Sequence, residues 1–150
     1  MWRLARPEED ERLVELSLSL YREDPSPVTV TPDQVRLTLS TFRRDPWRGR
    51  AVALELDGVV QGFALLVSFW SNEFGGEICE VDELYVAPAA RGRGHGSALF
   101  AAIERAELWP SPPVAIALGV TAGNRDARRL YERLGFRATG TVMVRTPPDR

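Results

Sequence analysis

A mixed α/β (α+β) fold, in the order β-α-α-β-β-β-α-β-α-β, follows from the patterning of these 150 residues. Apolar residues recur at helical spacing in four segments and as short β-rich runs between them. Asp57-Gly58 separates two apolar runs, a strong hairpin signal because this pair tolerates the positive φ angles of a type I′ turn. With 44% hydrophobic and 27% charged residues, the chain can bury one sizeable core. No linker-like stretch or internal repeat divides it, so one domain over residues 1–150 is expected.

Arg3 to Arg6 reads as a short strand. Pro7-Glu8-Glu9-Asp10-Glu11 then places a proline and carboxylates at a helix start, where the dipole favours them. Leu13, Leu16, Leu20 and Tyr21 give that helix its apolar face, and Asp24-Pro25-Ser26-Pro27 ends it. Thr31-Pro32-Asp33-Gln34 is a capping box opening a second helix, with Val35, Leu39 and Phe42 inward. The hairpin strands run over Ala51–Leu56 and Val59–Val67, and Trp70–Gly76 reads as a loop. A strand over Glu77–Val86 stops at Pro88, and a helix over Gly94–Leu108 carries Leu99, Ile103 and Ala106 on one face. Val114–Val120 reads as a buried strand. Asn124 caps a last helix bearing Ala127, Leu130, Tyr131 and Leu134, with Gly135 as its left-handed C′ residue and Phe136 as the contact after it. Thr139–Val144 is expected to be a final strand.

Composition removes several classes of function. There is no lysine, and 19 basic residues nearly balance 21 acidic ones without a one-sign block, so no nucleic-acid partner is expected. The apolar runs fall short of the ~20 residues of a membrane span, and acids follow Met1–Pro7 where a signal peptide would be apolar. A soluble cytoplasmic protein without membrane partners is the expectation. One cysteine, Cys79, and one histidine, His95, argue against a disulfide, a metal site and a Ser-His pair.

The informative stretch is Leu84-Tyr85-Val86, then Ala87-Pro88-Ala89-Ala90, then Arg91-Gly92-Arg93-Gly94-His95-Gly96-Ser97. A strand ends, a glycine-rich turn follows and a helix begins within it. Such a turn exposes consecutive N–H groups at the positive end of a helix, which suits a pyrophosphate. Arg91 and Arg93 add cations at the rim. Without lysine the chain cannot form a P-loop, and Ser97 and Leu99 stand where a dinucleotide fingerprint needs its last small residue. A nucleotide-binding enzyme is therefore disfavoured.

Arg91-x-x-Gly94-x-Gly96 after Leu84-Tyr85-Val86 resembles the acyl-CoA signature of the GNAT N-acetyltransferases. Asn124-x-x-Ala127-x-x-x-Tyr131-x-x-x-Gly135-Phe136 is similar to that family's later helix, and the element order fits over nearly the whole chain. The resemblance implies a GNAT-like domain, a mixed central sheet with helices on both faces. It implies acetyl-CoA as co-substrate, a small-molecule or peptide amine as acceptor and a possible homodimer. Leu84, Tyr85 and Val86 would pair with the pantetheine arm, and the amides of Arg91, Gly92, Arg93, Gly94, His95, Gly96 and Ser97 would hold the pyrophosphate. The thioester would lie where the strand around Cys79–Val86 and the strand around Val114–Val120 splay apart. Asn124 would both cap its helix and touch the cofactor. His95 would lend only its amide.

Acetyl transfer needs an unprotonated amine, and carboxylates are the available bases. Glu77, Glu80, Asp82 and Glu83 crowd one strand. Alternation puts Glu80 and Asp82 on one face and Glu83 on the other, a parity that a bulge would change. In the resembling family an acid at the Glu80 position, or at the Asp82 position, serves as base, so Glu80 is favoured with Asp82 second. A backbone N–H near Tyr85 or Val86 would meet the oxyanion. Tyr131, by the same resemblance, is the acid for the departing thiolate. Cys79 reads as a small buried residue. The aromatic stretch Phe69–Gly76, with Phe42 and Trp47, is a candidate acceptor wall that would attract a cationic amine. The competing class is a module that binds acyl-CoA without turning it over.

Overall fold

A computed structural model describes residues 1–148 of the chain. They cluster into two units, Met1–Gly119 and the segment from Val120 onward. The first holds β1 (Trp2–Leu4), α1 (Asp10–Glu23), α2 (Pro32–Arg44), β2 (Gly49–Leu56), β3 (Val59–Ser71), β4 (Gly76–Val86), α3 (His95–Glu104) and β5 (Ala115–Leu118). The second holds α4 (Arg125–Arg133).

The five strands form one sheet in sequence order, antiparallel from β1 to β4 and parallel between β4 and β5. Asp57 and Gly58 make the β2–β3 turn with φ of 52° and 77°, the positive pair that a tight hairpin of this twist requires. One face of the sheet presents Ala53, Phe63, Leu65 and Tyr85 to Leu13, Val14 and Leu16 of α1 and to Val35 and Leu39 of α2. The opposite face carries Val52, Leu54, Ala64 and Leu66, none of them exposed. α3 is tied to that face: the buried Trp2 donates from Nε1 to the His95 carbonyl at 2.8 Å, and Arg50 reaches the Leu108 carbonyl beyond the helix.

The helix starts follow the local signals. Glu9 accepts from the Arg6 N–H at 2.8 Å in a one-turn 3-10 lead-in to α1, and both its oxygens hold the Arg3 guanidinium. At α2 the Thr31 hydroxyl accepts from the Gln34 N–H, while the Gln34 side chain accepts from the Thr31 N–H, the reciprocal capping box.

Besides shifts of a few residues at β1, α1 and β2, four larger departures from expectation occur. β3 continues to Ser71, so the expected loop shrinks to a turn over residues 72–75. α3 ends at Glu104 rather than Leu108, because Ala106 turns left-handed at φ 57° and closes the helix with Glu107 N–H to Ala102 O and Ala106 N–H to Ile103 O. β5 is only half-buried, and it excludes the exposed Val114 and Val120. The strand expected over Thr139–Val144 does not form: no described strand pairs with it, and Val142, Met143 and Val144 are exposed.

Candidate active site

β4 and β5 stay paired only from Ile78–Ala115 to Val81–Leu118. Beyond that point β4 runs on to Val86, and among the described strands none pairs with its β5 side. Ala87 N–H bonds Gln61 O on the β3 side. By alternation the N–H groups of Leu84 and Val86 face the open edge. A pantetheine arm extending there would find a row of backbone donors and acceptors, as in strand addition.

Three carboxylates bracket the parting point, and a bulge decides their faces. Val81 lies opposite Leu66 and Glu83 opposite Leu65, so Asp82 is the extra residue on β4. The parity read from simple alternation is thereby corrected. Glu80, opposite Val67, and Glu83, opposite Leu65, share the face covered by α1 and α2, with Tyr85 next along it. Asp82 is exposed, yet the neighbouring protein desolvates its carboxyl enough to hold it above the ordinary range. Glu83 is half-buried and accepts from the buried Ser17 hydroxyl at 2.8 Å. Burial, reinforced by the Asp82 charge, holds its carboxyl above the usual range despite hydrogen bonds from Ser17 and Tyr21. Glu80 is exposed.

The fourth acid, Glu77, is structural. Its two oxygens accept from the Ser68 hydroxyl and from Nε1 of the buried Trp109, both at 2.7 Å. Burial, with Glu77's charge nearby, pushes the Cys79 thiol up to about 12, so it stays protonated and inert.

At the end of β4 the chain makes a one-turn 3-10 segment, Pro88–Ala90, and then the glycine turn. Gly92 and Gly94 have φ of 76° and 79°, and Gly94 is the N-cap of α3 without a side-chain cap. The first bond of that helix runs from the Ala98 N–H to the Gly94 carbonyl. The amides of His95, Gly96 and Ser97 precede it and have no intrahelical acceptor. Open space surrounds the Cβ direction at Gly92 and Gly94, so an anion can approach the backbone there. The residues fit a pyrophosphate.

Arg91 departs from the role of a rim cation. Its Nε donates to the Val86 carbonyl at 2.8 Å, and its guanidinium pairs with Glu23 at 2.6 Å while stacking 5.2 Å from the centre of the Tyr85 ring. The side chain thus fastens the turn to the end of β4. Arg93 is exposed at the rim. Neither Glu23 nor Ser17 carries a motif signal, although a serine in register with Leu13 and Leu16 on an apolar helix face is a hint.

The aromatic wall does not lie at the parting point. Phe69, Trp70 and Phe74 are exposed at the far end of the β3–β4 hairpin, with Gly76 about 20 Å along the strand from Asp82. Trp47 is exposed, whereas Phe42 packs on the core and against Gly49.

In the second unit, Asn124 accepts from the Ala127 N–H at 3.2 Å and caps α4. The helix ends as the sequence indicates: Gly135 has φ 92°, Gly135 and Phe136 N–H close on Glu132 and Tyr131 carbonyls, and the Phe136 ring meets Tyr131 edge-on at 5.9 Å. Among the described residues no group of three His, Cys, Asp or Glu could hold a metal ion, and no helix is long and apolar enough to cross a membrane.

The model of the acetyltransferase (GNAT) family matches residues 13–136. The chain belongs to the GNAT family. It is 36% identical over 123 residues to a mycothiol acetyltransferase of Thermomonospora curvata, covering 78% of this chain and 39% of that protein. It is 39% identical over 84 residues to an uncharacterized N-acetyltransferase of Methanocaldococcus jannaschii, covering 55% of this chain and 36% of that one. The chain therefore spans less than two-fifths of either relative through the matched region. Among solved structures, a possible acetyltransferase from Clostridium difficile 630 superposes with a TM-score of 0.79 at 18% identity, covering 100% of this chain and 98% of that one. An aminoglycoside N-acetyltransferase in complex with CoA gives 0.75 at 19% identity, covering 99% and 94%. These structures share the GNAT fold, with its mixed sheet flanked by helices.

Proposed function

We propose that this GNAT protein is an acetyl-CoA-dependent N-acetyltransferase working by direct attack in a ternary complex. The observation that carries the reading is the opening of the β4 edge immediately after Val81–Leu118, with carboxylates at its start and the uncapped α3 N-terminus at its end. The edge takes the pantetheine arm through Leu84, Tyr85 and Val86. The amides of Arg91 to Ser97 take the pyrophosphate, with Arg91's side chain holding the turn in place. An aminoglycoside N-acetyltransferase of the same fold was solved with CoA, which supports this cofactor.

Glu80 or Asp82 removes a proton from the acceptor ammonium, directly or through water, since an amine of pKa near 10 is mostly charged at neutral pH. The amine lone pair attacks the thioester carbonyl and a backbone N–H of β4 meets the oxyanion, a contact worth ~3 kcal/mol in comparable sites. The C–S bond then breaks, Tyr131 protonates the thiolate, a role that rests on the family resemblance, and the second proton shed by the amide nitrogen passes through water to restore the Tyr131 hydroxyl. Asn124 contributes to cofactor binding on the same ground.

The test is release of the CoA thiol from acetyl-CoA with a panel of primary amines. Amine-dependent release, lowered at least tenfold by Glu80→Gln or Asp82→Asn, supports the reading. Tight acetyl-CoA binding without release for any amine points instead to an acyl-CoA sensor.

A further inference from the structure

A cavity of about 200 Å3 lies between the α1–α2 connection and the sheet, walled by Val28, Val30, Val35 and Leu65 and reached by the Thr38 and Glu83 side chains. Glu83 is the one charged residue that lines it. The carboxylate arrives there through the bulge at Asp82, which turns Glu83 toward α1 and α2 and places it just past the last β4–β5 pair. From α1, the Ser17 hydroxyl donates to the carboxylate at 2.8 Å, and the Tyr21 hydroxyl faces it from the same helix. α2 presents Gln34 and Thr38, and β3 presents Leu65. Asp82 is the charged neighbour on its own strand. Among the described residues no basic one lines the cavity.

This half-buried carboxylate accepts from the neutral Ser17 hydroxyl and has no cation beside it among the described lining residues, and a cationic ligand would supply one. The other described lining residues are uncharged, the aliphatic Val28, Val30, Val35 and Leu65 with the neutral polar Thr29, Gln34 and Thr38, and the volume is below the ~300–1,000 Å3 of sites for drug-sized ligands. We propose that this cavity is the acceptor pocket, that Glu83 receives the substrate's ammonium group, and that the acceptor is a primary amine on a short aliphatic stem without a negative charge. This inference rests on the acetyltransferase reading above. Glu83 acts in it as a specificity residue, distinct from the proton acceptors Glu80 and Asp82.

The experiment compares thiol release from acetyl-CoA with n-propylamine, β-alanine, glucosamine and a peptide N-terminus, for the wild type and for Glu83→Gln and Thr38→Phe. Preference for n-propylamine over the other three is expected. Glu83→Gln should raise its KM at least tenfold while the acetyl-CoA KM stays unchanged, a split that general damage to the fold would not give. Thr38→Phe, which fills the cavity from α2, should raise the amine KM likewise and provides an independent arm should Glu83→Gln fail to fold. Faster turnover of glucosamine, β-alanine or the peptide, or an unmoved amine KM in both variants, overturns the inference while acetyl transfer stands. Absence of thiol release with every amine overturns the inference together with the acetyltransferase reading.

Discussion

The Tyr85 hydroxyl donates to Oε1 of Glu23 at 3.0 Å, and Arg91 takes the other carboxylate oxygen at 2.6 Å. One side chain at the end of α1 therefore clamps both the last turn of β4 and the start of the glycine turn. Arg91 keeps Glu23 ionised, holding its carboxyl below the usual range. Because Arg91 and Glu23 are each nearly half exposed, the ion pair alone contributes at most ~1 kcal/mol. Its importance is positional. Arg91→Ala is expected to weaken acetyl-CoA binding roughly tenfold, about 1.4 kcal/mol, with little change in melting temperature. Calorimetric titration checks this, and an unchanged affinity would remove the clamp from the account.

Gly94 caps α3 at φ 79° with open space where a Cβ would go. Gly94→Ala thus meets no steric obstacle, and its cost is the left-handed backbone itself, ~1–2 kcal/mol. The turn relieves that strain by moving its amides off the anion. Expected is a fall of about tenfold or more in acetyl-CoA affinity, larger than the fall in stability, read by titration beside thermal unfolding.

Ala106 offers the converse case. It occupies the left-handed position that closes α3, where glycine is the usual residue. Ala106→Gly should stabilise the protein by ~1 kcal/mol and leave acetyl-CoA binding alone. Denaturant unfolding would show the gain as a shifted midpoint at constant slope.

Two acids give stability changes of opposite sign with pH. Glu83 has a folded-state pKa above its ordinary 4.5, so the native protein holds that proton more tightly than the unfolded chain does. Its ionisation therefore costs stability as pH rises through and above 4.5. Glu83→Gln keeps an acceptor for Ser17 and should melt higher than the wild type at pH ~7, with the difference shrinking in acid. Glu9, beside Arg3, has its carboxyl held below 4.5, so its contribution is present above that value and lost as pH falls. Glu9→Gln should melt lower at neutral pH, and that deficit should close in acid. Melting curves across the acidic range read both.

Much of the fold was legible because its signals are local. The Thr31–Gln34 box, the Asp57-Gly58 turn and the Gly135 closure each need only a few adjacent residues, and each forms as expected. The glycine turn was legible for the same reason. What escaped depends on partners distant in sequence. The bulge at Asp82 is set by how β4 pairs with β3, and without it Glu83 reads as facing the wrong side. The contacts of Glu23 with Arg91 and of Glu77 with Trp109 join residues 68 and 32 positions apart. Val142 to Val144 carry an apolar strand-like pattern, yet a strand also needs a ladder partner, and none of the described strands provides one.

The most direct test of the central claim is thermal unfolding with and without acetyl-CoA, with ATP and NAD as controls. At ~100 times its dissociation constant a ligand adds ~2.7 kcal/mol, a rise of several degrees for a domain of this size. Expected are that rise with acetyl-CoA, its absence with ATP and NAD, and its marked reduction in Gly94→Ala. No shift at millimolar acetyl-CoA, or an equal shift with ATP, would contradict the assignment of the glycine turn and the open β4 edge to an acyl-CoA.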